Sequence, residues 1–433
     1  MGAHPDSAAE DAANARDQRP LKDIAAALFD ELRRRTADGL GVTRECYADG
    51  ENKAIALFRT FAEANGFRCW SDAGANLLVA LPHDDGSQPA FILSSHADSV
   101  PEGGNYDGAA GVIAGLLCLI RLKREQTPLA GPVRVLVMRG EEGAFYGAGE
   151  VGSRSLLGRL DPKHLDAKRR GTGRPLREAM TAAGIDVGRI ERGEPLADPA
   201  QFRGYLELHI EQAPVMIARN LSTAIVSGIR GNVRHRKVVC RGEAGHSGAV
   251  PRALRKDPVF AVADLLMRLD AHWSAALDRG TDLVMTTGII GTDPKDHAIS
   301  RIPDAVSFGF EIRSQSQETI ESVYDLFRSE CRAVAEQRGV AFEFDDRIVA
   351  EPALMDAGII AKLVRAAQKL GLAGEIMASG AGHDAAIFAN AGIPSGMIFV
   401  RNQNGSHNPY EAMELDDFMD GANVMYAAVA AGL

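Results

Sequence analysis

The sequence predicts an α/β fold: a discontinuous domain with a mixed sheet flanked by helices, interrupted by an inserted α+β domain. Three observations carry this. Short apolar, β-rich runs alternate with segments of helical period over the first half of the chain. The middle then changes to a strand-helix-strand-helix block of the size of a small domain. The earlier alternation resumes after it. At 433 residues the chain also exceeds what one hydrophobic core usually organises.

Taken in order, residues 1–20 are small and polar, with Asp6, Glu10 and Asp11 and no apolar run; they read as a loose tail rather than a leader. Helical spacing of apolar residues predicts helices over 21–35 and 54–64, and strands fall at 76–81, 90–95 and 133–138. The last two are continuously apolar, as in a sheet covered on both faces. Between them 108–123 is a Gly/Ala/Leu-rich helix. A strand follows at 205–210 and a short helix at 213–219. Residues 223–244 read as two strands around a turn at Gly231-Asn232. A long amphipathic helix over 257–277, strands at 283–288 and 305–313 and a helix over 318–338 complete the inserted block. Helices at 356–370 and 384–391, a strand at 395–400 and a helix at 415–431 return to the first style. The expected domains are therefore 21–222 with 339–433, and 223–338.

With 45% hydrophobic and 24% charged residues the composition is that of an ordinary globular protein. A formal charge of −10 argues against nucleic acid or an anionic membrane as the main partner. It leaves a small anionic substrate open, because one buried arginine can bind a carboxylate. The five cysteines are scattered, odd in number and without a CxxC pair, which fits a reducing compartment. No run reaches the ~18–20 apolar residues of a membrane helix, so the expected location is cytoplasmic.

Four constellations carry chemistry. Ser95-His96-Ala97-Asp98-Ser99-Val100 closes an apolar strand and leads into Gly103-Gly104-Asn105-Tyr106-Asp107-Gly108. Groups that act in open α/β sheets sit where strands end. His96 can ligate a metal, with Asp98 accepting its other N–H; Asp107 can bridge two cations or simply cap the helix that follows. Glu141-Glu142 ends the next strand, where two acids need compensation: Glu142 as a ligand with Glu141 as a general base, or a solvated acidic turn. Glu207, His209 and Glu211 share one face of a strand, and His407 follows the last strand in Asn404-Gly405-Ser406-His407-Asn408-Pro409. Singly each is weak, but four at consecutive strand ends suit two hard-to-borderline cations such as Zn²⁺ or Mn²⁺.

Together with Ser379-Gly380-Ala381-Gly382-His383-Asp384-Ala385 and Met397-Ile398-Phe399-Val400, these motifs closely resemble the aminoacylase-type di-metal hydrolases. The resemblance is to the branch of N-carbamoyl-L-amino acid hydrolases, β-ureidopropionase and allantoate amidohydrolase, and runs from about residue 20 to the C-terminus. It implies hydrolysis of a linear C–N amide bond in an N-carbamoyl (ureido) amino acid or related ureido acid, with an N-acyl or amide-conjugated amino acid as the alternative. It further implies two divalent ions, Zn²⁺ or Mn²⁺ with Co²⁺ or Ni²⁺ possible, one on His96, Asp107 and His209 and the other on Asp107, Glu142 and His407. Glu141 would be the general base acting on a metal-bridged water, and Asp98 would orient His96. The inserted domain would be a lid that also forms a homodimer, His246 reaching the neighbouring subunit's site. Arg313 would hold the carboxylate of a small-molecule substrate, with Asn232, Gln212, Gly382 and His383 shaping the pocket. Ser300 stands where relatives usually carry an Asn beside that arginine, Ala213 follows Gln212 in place of Gly, and Gly245 precedes His246 in place of Asn. Ligand and base positions match the family pattern; several substrate positions depart from it.

Overall fold

In the computed structural model, which describes residues 19–433, the apolar runs become strands buried along their whole length. The tail expected over 1–20 lies, apart from Arg19 and Pro20, outside the described residues. In chain order the elements used below are α1 (Leu21–Thr36), α2 (Asp49–Ala64), β1 (Arg68–Ser71), β2 (Leu77–Ala80), β3 (Ala90–His96), α3 (Ala109–Glu125), β4 (Val133–Met138), α4 (Val151–Leu156), α5 (Leu176–Ala182), α6 (Val187–Glu191), β5 (Phe202–Ile210), α7 (Val215–Arg219) and β6 (Thr223–Ile229). They continue with β7 (Gly231–Arg241), α8 (Pro258–Asp278), β8 (Val284–Thr286), β9 (Ile290–Gly291), β10 (Ala305–Ser314), α9 (Gln317–Arg338), β11 (Ala341–Phe344), β12 (Ile348–Ala350), α10 (Ala357–Lys369), α11 (Asp384–Asn390), β13 (Ser395–Val400) and α12 (Leu415–Ala430).

The chain forms two compact units, one running to Ser227 and resuming over Leu354–Leu433, the other Gly228–Ala353. The first is built on a nine-stranded mixed sheet in which β6-β13-β5-β3-β4-β2-β1 are neighbours. β13, β5, β3 and β4 run parallel, and β6, β2 and β1 join antiparallel to their partners. Every residue of β3, β4 and β13 is buried, as parallel strands covered by helices on both faces require. Helix α3 lies close to the sheet because two of its glycines remove the obstacle: a Cβ on Gly111 would stand 2.1 Å from Leu208 O, and one on Gly115 would stand 2.9 Å from Val135 Cγ2. Parallel register places His96 opposite Met138 and His209 opposite Phe399. The segments leaving β3, β4, β5 and β13 thus emerge along one sheet edge.

The second unit holds a six-stranded sheet ordered β8-β10-β7-β11, with β9 on β10 and β12 on β7. Buried and half-buried residues alternate along β10. Val306, Phe308, Phe310 and Ile312 face a core with Leu265 of α8 and Phe327 of α9, the pattern of an antiparallel sheet packed on one face.

Two expectations change. Residues 223–244 hold the two expected strands, but the break falls at Arg230 and Gly231-Asn232 already lie on β7; β6 pairs with β13 in the first sheet, whereas β7 pairs with β10 in the second. For the same reason the units divide at 227/228 and 353/354, beyond the expected 222/223 and 338/339, since β11 and β12 belong to the sheet of β7. The short helices α4, α5 and α6 were not expected. With seven residues or fewer, they are too brief for apolar periodicity to register.

Candidate active site

Residues at or just beyond the ends of β3, β4, β5 and β13 converge in the first unit. His96 Nε2 and His209 Nε2 stand 3.3 Å apart, and Asp107 Oδ1 lies 3.4 Å from the first and 3.1 Å from the second. Asp107 Oδ2 lies 3.5 Å from His407 Nε2, which is also 3.5 Å from Glu142 Oε1. Donor atoms about 2.0–2.1 Å from a tetrahedral cation are themselves about 3.3–3.4 Å apart, so the first triangle has the edges of a ligand set, as do the two sides of the second that meet at His407. The two triangles share Asp107, one oxygen to each. Asp107 Oδ1 and Glu142 Oε1 are buried and accept no hydrogen bond, a costly state unless a cation or other partner answers them. His96, Asp107 and His209 form one group able to hold a metal ion, and Asp107, Glu142 and His407 another. A third grouping, Glu207, His209 and His383, also lies within ligand reach. There, however, His209 Nε2 already faces Asp107, and the Glu207 oxygens are taken by Ser95 Oγ, the Ala385 N–H and Tyr205 Oη.

Backbone geometry holds these groups in place. Gly108 has φ 67°, and a Cβ there would stand 2.5 Å from the His96 ring; only glycine lets the turn before α3 pass so close. The Asp98 carboxylate accepts the N–H groups of Glu141 and Glu142 at 3.1 and 3.0 Å, tying the end of β3 to the turn after β4. His96 Nδ1 is nearer to the Asp98 carbonyl, at 3.1 Å, than to its carboxylate, at 3.4 Å. Glu141 lies beside this centre, with Oε2 3.9 Å from His96 Nε2. Gln212 donates to Asp107 Oδ2 at 2.8 Å and lies 3.4 Å from His407 Nε2, so its amide sits on the second ligand set. His383 is buried with its ring 4.4 Å from that of His209, and Nε2 lies 3.1 Å from Ser379 Oγ.

Three supports have no local sequence signal. Ser406 Oγ donates to Asp107 Oδ2 at 2.6 Å, Glu411 accepts the N–H groups of Tyr106 and Asp107, and the wholly buried Arg44 donates to the carbonyls of Ala97 and Asp107. A run of acids under low dielectric leaves its mark on titration. Burial, with Glu142 adding to it, pushes the Glu141 carboxyl well above its ordinary range. Burial and Asp107 do the same to Glu142. For Asp107 burial acts upward, but His209 and His96 outweigh it and hold the carboxyl well below. Burial, then His209, drives His383 well below, leaving it neutral.

Gly382 precedes His383 in the first unit, against the Glu150 side chain; the other expected site residues belong to the second unit. Asn232 and Arg313 are register partners on β7 and β10; Arg313 Nε pairs with Glu311 Oε2 at 3.0 Å, and Asn232 Oδ1 accepts from Arg234. His246 Nδ1 accepts the Gly248 N–H, and the Ser300 carbonyl accepts the Ser247 N–H. All five cysteines are free. Among the described residues no helix is long and apolar enough to cross a membrane.

A family model described as peptidase family M20/M25/M40 matches residues 92–431. The chain is 32% identical over 390 residues to the N-carbamoyl-L-amino acid amidohydrolase of Geobacillus stearothermophilus, covering 90% of this chain and 93% of that one. It is 29% identical over 392 residues to the allantoate amidohydrolase of Escherichia coli (strain K12), covering 89% and 91%. A crystallised hydantoinase/carbamoylase family amidase from Burkholderia ambifaria superimposes with a TM-score of 0.81 at 28% identity, over 94% of this chain and 97% of that one.

Proposed function

The chain belongs to the peptidase family M20/M25/M40 and is a hydrolase of carbon–nitrogen bonds; from that membership we propose that it cleaves the linear C–N bond of a ureido acid, most directly an N-carbamoyl amino acid. The observation that carries the reading is the pair of ligand triangles sharing Asp107, with Glu141 beside them.

His96, Asp107 and His209 would hold one divalent ion, and Asp107, Glu142 and His407 a second; Zn²⁺ and Mn²⁺ suit the donors best. When bound, such ions acidify a water and polarise the scissile carbonyl. Glu141 would take the proton of the attacking water, and its raised proton affinity suits a group that must accept a proton and then pass it to the leaving nitrogen. The Asp98 carboxylate accepts the main-chain N–H of Glu141 and leaves the Glu141 carboxyl free. The proton relay therefore keeps its free side chain. To Arg313, Asn232 and Ser300 we assign the substrate carboxylate, and to His246 a donor delivered to the neighbouring subunit of a homodimer, on the strength of the motifs that surround them. Gln212, whose amide bonds Asp107, serves the ligands rather than the substrate.

The test is ammonia release by cation-loaded protein from N-carbamoyl amino acids, 3-ureidopropionate and allantoate. Turnover is expected to fall at least ~10²-fold in Glu141→Gln, with cation content unchanged. Absence of ammonia across the panel by fully loaded protein overturns the ureido reading and directs attention to N-acyl and amide-conjugated amino acids.

A further inference from the structure

One carboxylate at the centre has no part in the reaction derived above. Glu150 follows the Glu141-Glu142 turn and starts α4 in the left-handed region, with φ 49° and ψ 33°. Its N–H donates to the Glu141 carbonyl at 2.7 Å, so its position is tied to the main chain of the base. Arg154 Nε and Nη2 hold Oε2 at 3.3 and 3.2 Å. The other oxygen, Oε1, has no hydrogen bond among the described residues. It lies against the glycine-rich loop before α11, where a Cβ on Gly382 would stand 2.6 Å from it. The next residue is His383, the neutral ring packed on His209. The Glu150 side chain is 21% exposed.

From this arrangement we infer that Glu150 is a specificity-determining residue: its Oε1 accepts a hydrogen bond from an uncharged amide or ureido N–H carried by the substrate beyond the scissile bond. The inference rests on the ureido-acid reading above and narrows its substrate class. Arg154 already balances the Glu150 charge, so what is offered is an oriented acceptor and not a counter-ion for a full cation. The Glu150 carboxylate, being an acceptor only, disfavours a substrate carboxylate at this spot. That sets the orientation: carboxylate end away, N–H donor end toward Glu150. Gly382 leaves room for Oε1 where a Cβ would push against it.

The probe is a pair matched in length, N-carbamoyl-L-glutamine and N-carbamoyl-L-methionine, assayed by ammonia release with cation-loaded protein. The wild-type kcat/KM ratio is expected to favour the glutamine compound by roughly ten- to a hundredfold, the range of a hydrogen bond to a charged acceptor. In Glu150→Leu that ratio collapses toward one, chiefly through a higher KM for the glutamine compound. Glu150→Gln, of the same shape but uncharged, falls between. A wild type without the preference, an unmoved ratio in Glu150→Leu, or KM values that rise in proportion for both compounds overturns the inference. Should the wild type release ammonia from neither, the ureido reading is what has failed. Calorimetric binding of L-glutamine and L-methionine then decides Glu150 separately: a glutamine preference lost in Glu150→Leu supports it, and equal binding by the wild type overturns it.

Discussion

Asp107 divides its two oxygens between two groups able to hold a cation, while Ser406, Gln212 and Glu411 fix its orientation from three directions. Asp107→Asn replaces one of those oxygens with a donor. Bound cation, measured by elemental analysis after desalting, is expected to drop below one equivalent per chain; full retention would show that the triangles are not the ligand sets. Arg44 acts from beneath. It is 0% exposed, and burial pulls its pKa down while Glu411, Asp107 and Asp98 push it back up. Arg44→Met strands those acids without their positive neighbour and is expected to cost about 3–5 kcal/mol in denaturant unfolding. His96, Asp107, Glu142, His209 and His407 could be picked out from sequence because each follows an apolar run and stands beside glycine or a second polar group. Arg44, Ser406 and Glu411 could not, because they answer peptide groups or carboxylates brought to them only by folding. Gln212 shows the same limit: its motif is visible, but that its amide rests on Asp107 is a fact of the turn it closes at φ 61°.

At the scale of elements, the link between a helix start and a ligand is steric. Gly108→Ala forces a left-handed residue with a Cβ and drives that carbon into the His96 ring. The expected result is a loss of about 1–3 kcal/mol from the backbone alone, together with weaker cation binding in a titration followed by Co²⁺ absorption. Unchanged Co²⁺ spectra would separate the turn from the ligand. The strands expected at 90–95, 133–138 and 395–400 are found as Ala90–His96, Val133–Met138 and Ser395–Val400, since a strand buried on both faces writes a continuous apolar run. β11 and β12 escaped notice because alternation over three or four residues is indistinguishable from chance. The turn expected at Gly231-Asn232 is displaced for a different cause. Its glycine is needed for the close approach of β7 to Ala350 and Pro352 rather than for a turn, and sequence alone does not tell the two uses apart.

For the whole molecule, the buried and unanswered oxygens of Asp107 and Glu142 mean that cation binding and fold stability are linked. Protein stripped with a chelator is expected to unfold at a lower Tm, and restored Zn²⁺ or Mn²⁺ at a hundredfold excess over Kd to return about 2.7 kcal/mol. A Tm indifferent to both would contradict the linkage. The sheet itself imposes an order on events. β13, which leads to His407, is inserted between β5 and β6 although both precede it by a long stretch of chain. During vectorial synthesis the ribosome therefore releases β3, β4 and β5 with His96, Asp107, Glu142 and His209 long before the strand that closes the gap and delivers the last ligand. The nascent chain carries an open slot flanked by unpaired strand edges, which is the hazard such edges bring to slow, non-local folds. The second candidate ligand set is therefore completed only once β13 has taken its place in the sheet, whatever the supply of metal.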